Sequence, residues 1–182
     1  MSNAFKINDQ KGLYFITMTV VDWIDLFTRD TNRKIIIDSL DYCRKNKGLN
    51  IWAYVIMTNH LHLIVNTKNS LSDILRDFKR YTTQNLLASI NQNSESRRSW
   101  ILKAFEEAGK SEMREDINHK IWLSDNHPIE LLTNEFILQK MGYIHVNPVR
   151  SGLVDDPSAW VYSSQRNYMR LPSVLEIDLL DY

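Results

Sequence analysis

Along the chain, apolar residues cluster in blocks of alternating or continuous β-type pattern, separated by blocks of helical period. Leu13 to Val21 is β-branched and aromatic and follows a Gly12 break, so it reads as a strand. Ile35, Ile36, Leu40 and Cys43 recur at helical spacing. That predicts a helix capped by Asp30 or Thr31 and ended near Lys47 by Gly48. Ile51 to Met57 and Leu61 to Val65 read as two further strands with a short break at Thr58-Asn59. Ser70-Leu71-Ser72-Asp73 is a capping signal for a helix over roughly 71–90, whose buried stripe is Leu71, Ile74, Leu75 and Phe78. Ile101 to Ala108 has helical character, and His119 to Leu123 reads as a short strand. Thr133 or Asn134 caps a last helix that is expected to stop near His145, because Asn147-Pro148 follows. Ser151 to Tyr168 reads as an irregular tail.

Strand, helix, strand, strand, helix is the order of a ferredoxin-like α+β sandwich with an antiparallel sheet. The 182 residues suffice for a single domain, 1–182. Within it, 1–12 and 151–182 are expected as terminal tails. The polar stretch 91–120 is a candidate insertion, either DNA-binding or simply surface. No apolar run reaches the roughly 20 residues of a bilayer span, so no membrane partner is expected. One cysteine, Cys43, excludes an intrachain disulfide and suits a cytoplasmic location. Lysine plus arginine equal aspartate plus glutamate at 22 each, so any attraction to nucleic acid must come from local clusters such as Arg76, Lys79 and Arg80.

The chemistry centres on Asn59-His60-Leu61-His62-Leu63. Side chains at i and i+2 of a strand share a face, with Cα atoms about 7 Å apart, so His60 and His62 can converge on one divalent ion. Leu61 and Leu63 point the other way, into the core. Two imidazoles leave a metal shell incomplete, and an added oxygen ligand suits Mn²⁺, or Mg²⁺ less comfortably, with Zn²⁺ open. On the helix after this strand, Tyr81 and Asn85 sit one turn apart at the edge of the buried stripe. A metal-assisted tyrosine could attack a phosphodiester and conserve its energy in a covalent link.

The ordered segments NHLHLIV, FKRYTTQN, YIHVNPVRSGLV and WVYSS resemble the HUH-type single-strand DNA transposases, specifically the REP-associated tyrosine transposases and their transposase-like relatives. The resemblance runs from about Tyr14 to Tyr168. It implies that His60 and His62 are metal ligands and Tyr81 the nucleophile, with Asn85 as a polar third ligand. Mg²⁺ or Mn²⁺ is the implied cofactor, and single-stranded DNA carrying a hairpin is the implied substrate. The implied reaction is nicking and strand transfer through a 5′-phosphotyrosine. Lys79, Arg80 and Arg150 are the expected DNA contacts. Trp122, Trp160 and Tyr162 are candidates for base stacking, although core packing suits each. Two alternatives remain open at this stage: a domesticated, non-catalytic protein that binds structured single-stranded DNA, and a metal hydrolase using activated water. A homodimer sharing tyrosine helices between subunits is one assembly that the resemblance allows.

Overall fold

The computed structural model describes residues 6–92, 96–111 and 118–180. Four strands, β1 (Tyr14–Thr19), β2 (Leu49–Ile56), β3 (His60–Thr67) and the short β4 (Ile129–Glu130), form one sheet in the order β2-β3-β1-β4. Every pairing is antiparallel. The helices are α1 (Asp30–Lys47), α2 (Leu71–Gln92), α3 (Arg98–Lys110), α4 (Asn134–Arg150) and the four-residue α5 (Gln165–Tyr168). The expected ferredoxin-like α+β sandwich is the architecture observed, with β3 internal to the sheet.

The pleat divides the core in two. On one face Leu61, Leu63 and Val65 of β3 join Ile16 and Met18 of β1 beneath residues of α1, α2 and α3. On the other face Ile64, Phe15, Ala53 and Val55 pack with Met141 and Ile144 of α4. Alternation along β3 therefore puts His60 and His62 on the α4 side. This division decides which helix can serve the histidines.

Local sequence explains most boundaries. Gly48 ends α1 at φ 70°, where its N–H donates to the Cys43 carbonyl; a Cβ would be strained there. Ser70 Oγ accepts from the Asp73 N–H and Thr133 Oγ1 from the Phe136 N–H, the caps expected for α2 and α4. The N-cap of α1 is Arg29, with no side-chain cap, rather than Asp30 or Thr31.

Three further expectations are corrected. The helix expected to stop near His145 continues to Arg150 with Pro148 inside it. Proline in the final turn removes one N–H, and burial of its ring offsets that loss. The 119–123 segment runs beside β1, with the Leu123 N–H donating to the Thr19 carbonyl, but it forms only the single bridge Val20–Trp122. The 151–182 stretch, so far as it is described, is no loose tail. Tyr162, Ser164 and Asp178 bond to the backbone of β2 at Ile56, Tyr54 and Ile51, covering an edge strand. In 91–120, residues 98–110 form α3, with Ile101 and Phe105 buried in the main core; 93–95 and 112–117 lie outside the described residues. Among the described residues no helix is long and apolar enough to cross a membrane.

Candidate active site

His60 and His62 stand with ring centroids 4.8 Å apart. Each ring is held at Nδ1. His60 Nδ1 lies 2.8 Å from Asn59 Oδ1, and His62 Nδ1 lies 2.9 Å from Thr17 Oγ1 on the neighbouring strand β1. An amide oxygen can only accept, so His60 carries its proton on Nδ1 and presents the Nε2 lone pair. Asn59 is fixed in turn: its Nδ2 donates to the Trp23 carbonyl at 3.1 Å and to Asp25 Oδ1 at 3.0 Å. Burial lowers the pKa of His60. Burial, then the neighbouring His60 and the Lys140 ammonium, push His62 down to about 3. Both imidazoles are therefore neutral at pH 7, the form that binds metal.

His62 Nε2 is buried and has no hydrogen-bond partner in the structure. An orphaned buried ring nitrogen is costly; with Thr17 Oγ1 accepting from Nδ1–H, Nε2 carries a lone pair that a divalent ion would satisfy. The donor set fits such an ion at two positions. Among the described residues no group of three or more His, Cys, Asp or Glu side chains could complete a shell. Further ligands must come from an amide, water or substrate.

The helix facing the pair is α4. The Tyr143 ring meets His62 edge-on with centroids 5.3 Å apart, and packs against Phe15 at 6.0 Å. Lys140, Tyr143, Asn147 and Arg150 follow helical spacing and form one stripe of α4. The Lys140 ammonium lies 6.0 Å from the Tyr143 ring centre and 4.9 Å from that of Phe15. The Arg150 guanidinium lies 5.7 Å from the Tyr143 ring. A half-exposed phenol is thus flanked by two cations beside two neutral imidazoles, where a phosphodiester could be held.

Tyr81 is elsewhere. It is on α2, which packs on the Leu61 and Leu63 face, so the sheet stands between it and the histidines. Its ring is exposed and lines a cleft of about 600 Å³ between α1 and α2, with Tyr42, Cys43, Phe78, Arg80 and Gln84. Asn85 turns back on its own helix, its Nδ2 donating to the Tyr81 carbonyl at 2.9 Å. Neither is brought to the histidine pair. Of the expected DNA contacts, Lys79 is withdrawn from solvent. Its ammonium donates to the Leu123 carbonyl at 2.7 Å, and burial, reinforced by Lys120, lowers its pKa to about 8. Arg80 is exposed on the α1–α2 cleft. Arg150 alone of the three lies on the histidine side of the sheet, beside the Tyr143 ring. Trp122 is a core residue donating to Thr82 Oγ1, and Trp160 donates to the Ile56 carbonyl. Arg33 covers the rings of both Trp160 and Tyr162.

The sequence carried a signal for α4. Tyr143 and Asn147 repeat the one-turn Tyr–Asn spacing of Tyr81 and Asn85, inside the segment YIHVNPVR.

Comparison with known proteins agrees with this architecture. A solved structure of a REP-associated tyrosine transposase bound to a REP hairpin superposes with a TM-score of 0.62 at 21% identity, covering 100% of this chain and 95% of that one. At that identity the likeness is one of fold. No curated protein matches the chain. A family model described as "Transposase IS200 like" matches residues 13–110, more than half of the sequence, and the chain belongs to this IS200-like transposase family.

Proposed function

We propose that this transposase-family protein nicks single-stranded DNA and rejoins strands through a tyrosine of its own α4, Tyr143. The observation that carries the proposal is the edge-on contact of Tyr143 with His62, on the face of the sheet that also presents His60. The Tyr143 oxygen would give up its proton to solvent, attack phosphorus and form the new P–O bond as the bond from phosphorus to the preceding nucleotide breaks. The 3′ oxygen of the preceding nucleotide would leave and take up a proton. The products are a 5′-phosphotyrosine and a free 3′-OH, and attack by a 3′-OH reverses the step, with no other energy source. Lys140 and Arg150 have the charge to hold the scissile phosphate at the ring. His60 and His62 would ligate Mg²⁺ or Mn²⁺ through Nε2, and the Asn147 amide, one turn after Tyr143, is the proposed further ligand. When bound, the cation would supply positive charge that polarises the phosphate. Because the tyrosine and the histidines come from one chain, the site needs no second subunit to assemble.

The substrate class follows from the family and from the hairpin-bound fold neighbour: single-stranded DNA with a local hairpin. The test is a denaturing gel of the protein with single strands from the flanks of its own gene, with Mn²⁺ and with chelator. A Mn²⁺-dependent covalent adduct, mapped by peptide mass spectrometry to Tyr143, is the expected result. Tight binding of the same strands without any adduct would replace this reading with that of a non-catalytic DNA-binding protein.

A further inference from the structure

The turn that follows β1 has the sequence Val20-Val21-Asp22-Trp23-Ile24-Asp25-Leu26-Phe27. Its apolar members Val20, Val21, Ile24, Leu26 and Phe27 are all buried, yet Trp23 between them is 61% exposed. Asp22 and Trp23 lie consecutively at φ 53° and 54°, a backbone region that residues with a side chain seldom enter. The turn is stitched down on either side of them: the Val20 N–H donates to the Asn59 carbonyl, Val21 to Ile121 and Phe27 to Thr58. Tryptophan is highly buried on average, so a turn that packs its other apolar members inward is expected to bury the indole with them. This one is held so that the largest apolar side chain faces solvent, and strained backbone of this kind is characteristic of functional positions.

The exposed indole is not remote from the chemistry. It meets the His60 ring edge-on with centroids 5.8 Å apart. Its carbonyl accepts from Asn59 Nδ2, the amide whose oxygen holds His60 Nδ1. One asparagine therefore fixes both the histidine ring and the position of the tryptophan. The other aromatic residues named from sequence for stacking are committed, Trp122 to the core and Trp160 and Tyr162 to Arg33. Asp22 and Asp25 flank Trp23 with exposed carboxylates, which repel a phosphate and leave the neutral face of a base as the group that fits.

We infer that Trp23 is a base-stacking subsite, holding one unpaired nucleobase of the DNA strand close to the phosphate presented to the His60–His62 pair. The inference rests on the single-stranded DNA reading of that pair, and Trp23 acts as a positioning residue that does not touch the reacting atoms. Stacking of a base on an aromatic ring contributes about 5- to 150-fold in affinity and is tolerant of sequence.

The test is fluorescence anisotropy with a labelled single strand from the flank of the protein's own gene. A series of the same strand carries one abasic nucleoside at successive positions, all in chelator so that cleavage plays no part. Wild type, Trp23→Ala and Trp23→Phe are compared, with adduct yield in Mn²⁺ measured separately. Expected is a weakening of about 5- to 150-fold by Trp23→Ala on the intact strand, largely rescued by Trp23→Phe. At one abasic position wild type should weaken by the same factor, and there Trp23→Ala should add nothing. If Trp23→Ala binds like wild type, or its loss is equal at every abasic position, the subsite does not exist. A position-specific loss in binding without any adduct from wild type would uphold the subsite and overturn the nucleophile. An adduct indifferent to Trp23, with unchanged binding, would do the reverse. Failure of wild type to bind any strand overturns both.

Discussion

Tyr143→Phe removes one oxygen atom and leaves the ring contacts with His62 and Phe15 in place. The ring is half exposed, so the fold should lose no more than about 0.5 kcal/mol, the range of ordinary surface substitutions. Activity should fall by about 10³-fold or more, because the proposed attacking group itself is gone. Tyr81→Phe is the matched control. In-line attack requires the reacting atoms to come within about 3–3.5 Å. Packed layers of a fold are separated by about 10 Å, and Tyr81 sits in the layer on the far side of the sheet from the histidines. It should therefore keep the wild-type adduct yield. The assay is the denaturing gel with Mn²⁺ and a single strand from the gene's flank, run beside urea denaturation to show that both variants are folded. An adduct that survives Tyr143→Phe and vanishes in Tyr81→Phe would refute the reasoning from sheet faces. It would mean that the tyrosine reaches the histidines from α2 of a second subunit.

Three further outcomes follow from named contacts. Asn59→Ala frees the His60 ring and should weaken Mn²⁺ binding by about 10–100-fold, read by isothermal titration; unchanged affinity would show that Asn59 does not orient the ligand. Thr82→Val strands the buried indole N–H of Trp122, which donates to Thr82 Oγ1 at 3.0 Å, and should cost about 1–3 kcal/mol in urea denaturation; a neutral result would mean that water reaches the indole. His145 is buried against Ser164 Oγ at 2.9 Å, and burial lowers its pKa to about 4. From about pH 6.5 down to about 4 the unfolded chain takes up a proton there that the folded chain refuses, so stability falls as pH falls, by about 1.4 kcal/mol per unit. His145→Gln, measured in chelator, should reduce the slope between pH 6 and 5 by about that amount, and an unaltered slope would assign the acid sensitivity to other groups.

The fold was legible because each element carries its own period. The alternation of β3, the capping serine and apolar stripe of α2, and Gly48 after α1 are local facts, and local facts survive folding. The parts that were not legible depend on what a segment meets. Trp122 and the 119–123 run are extended, but only one bridge forms because the neighbouring chain turns away at Val21. Pro148 reads as a helix stop until its ring is seen to be buried.

The proposed nucleophile is the instructive case. Two helices offer a tyrosine followed one turn later by an asparagine, Tyr81 with Asn85 and Tyr143 with Asn147, and proximity in sequence favours the first. The pleat rules against it. If His60 and His62 share one face of β3, then Leu61 and Leu63 share the other, and those leucines need a helix to cover them. The stripe Leu71, Ile74, Leu75 and Phe78 makes α2 that helix, as the common core of these residues bears out. A helix that buries Leu61 and Leu63 cannot also reach His60 and His62 from within the same chain. The histidines therefore require a helix on the opposite face. The Lys140, Tyr143, Asn147 and Arg150 stripe of α4 is the one that meets them, bringing cations to the histidine side of the sheet, whereas those of α2 are engaged elsewhere: Arg76 pairs with Asp73, Lys79 donates to the Leu123 carbonyl and Arg80 faces the α1–α2 cleft.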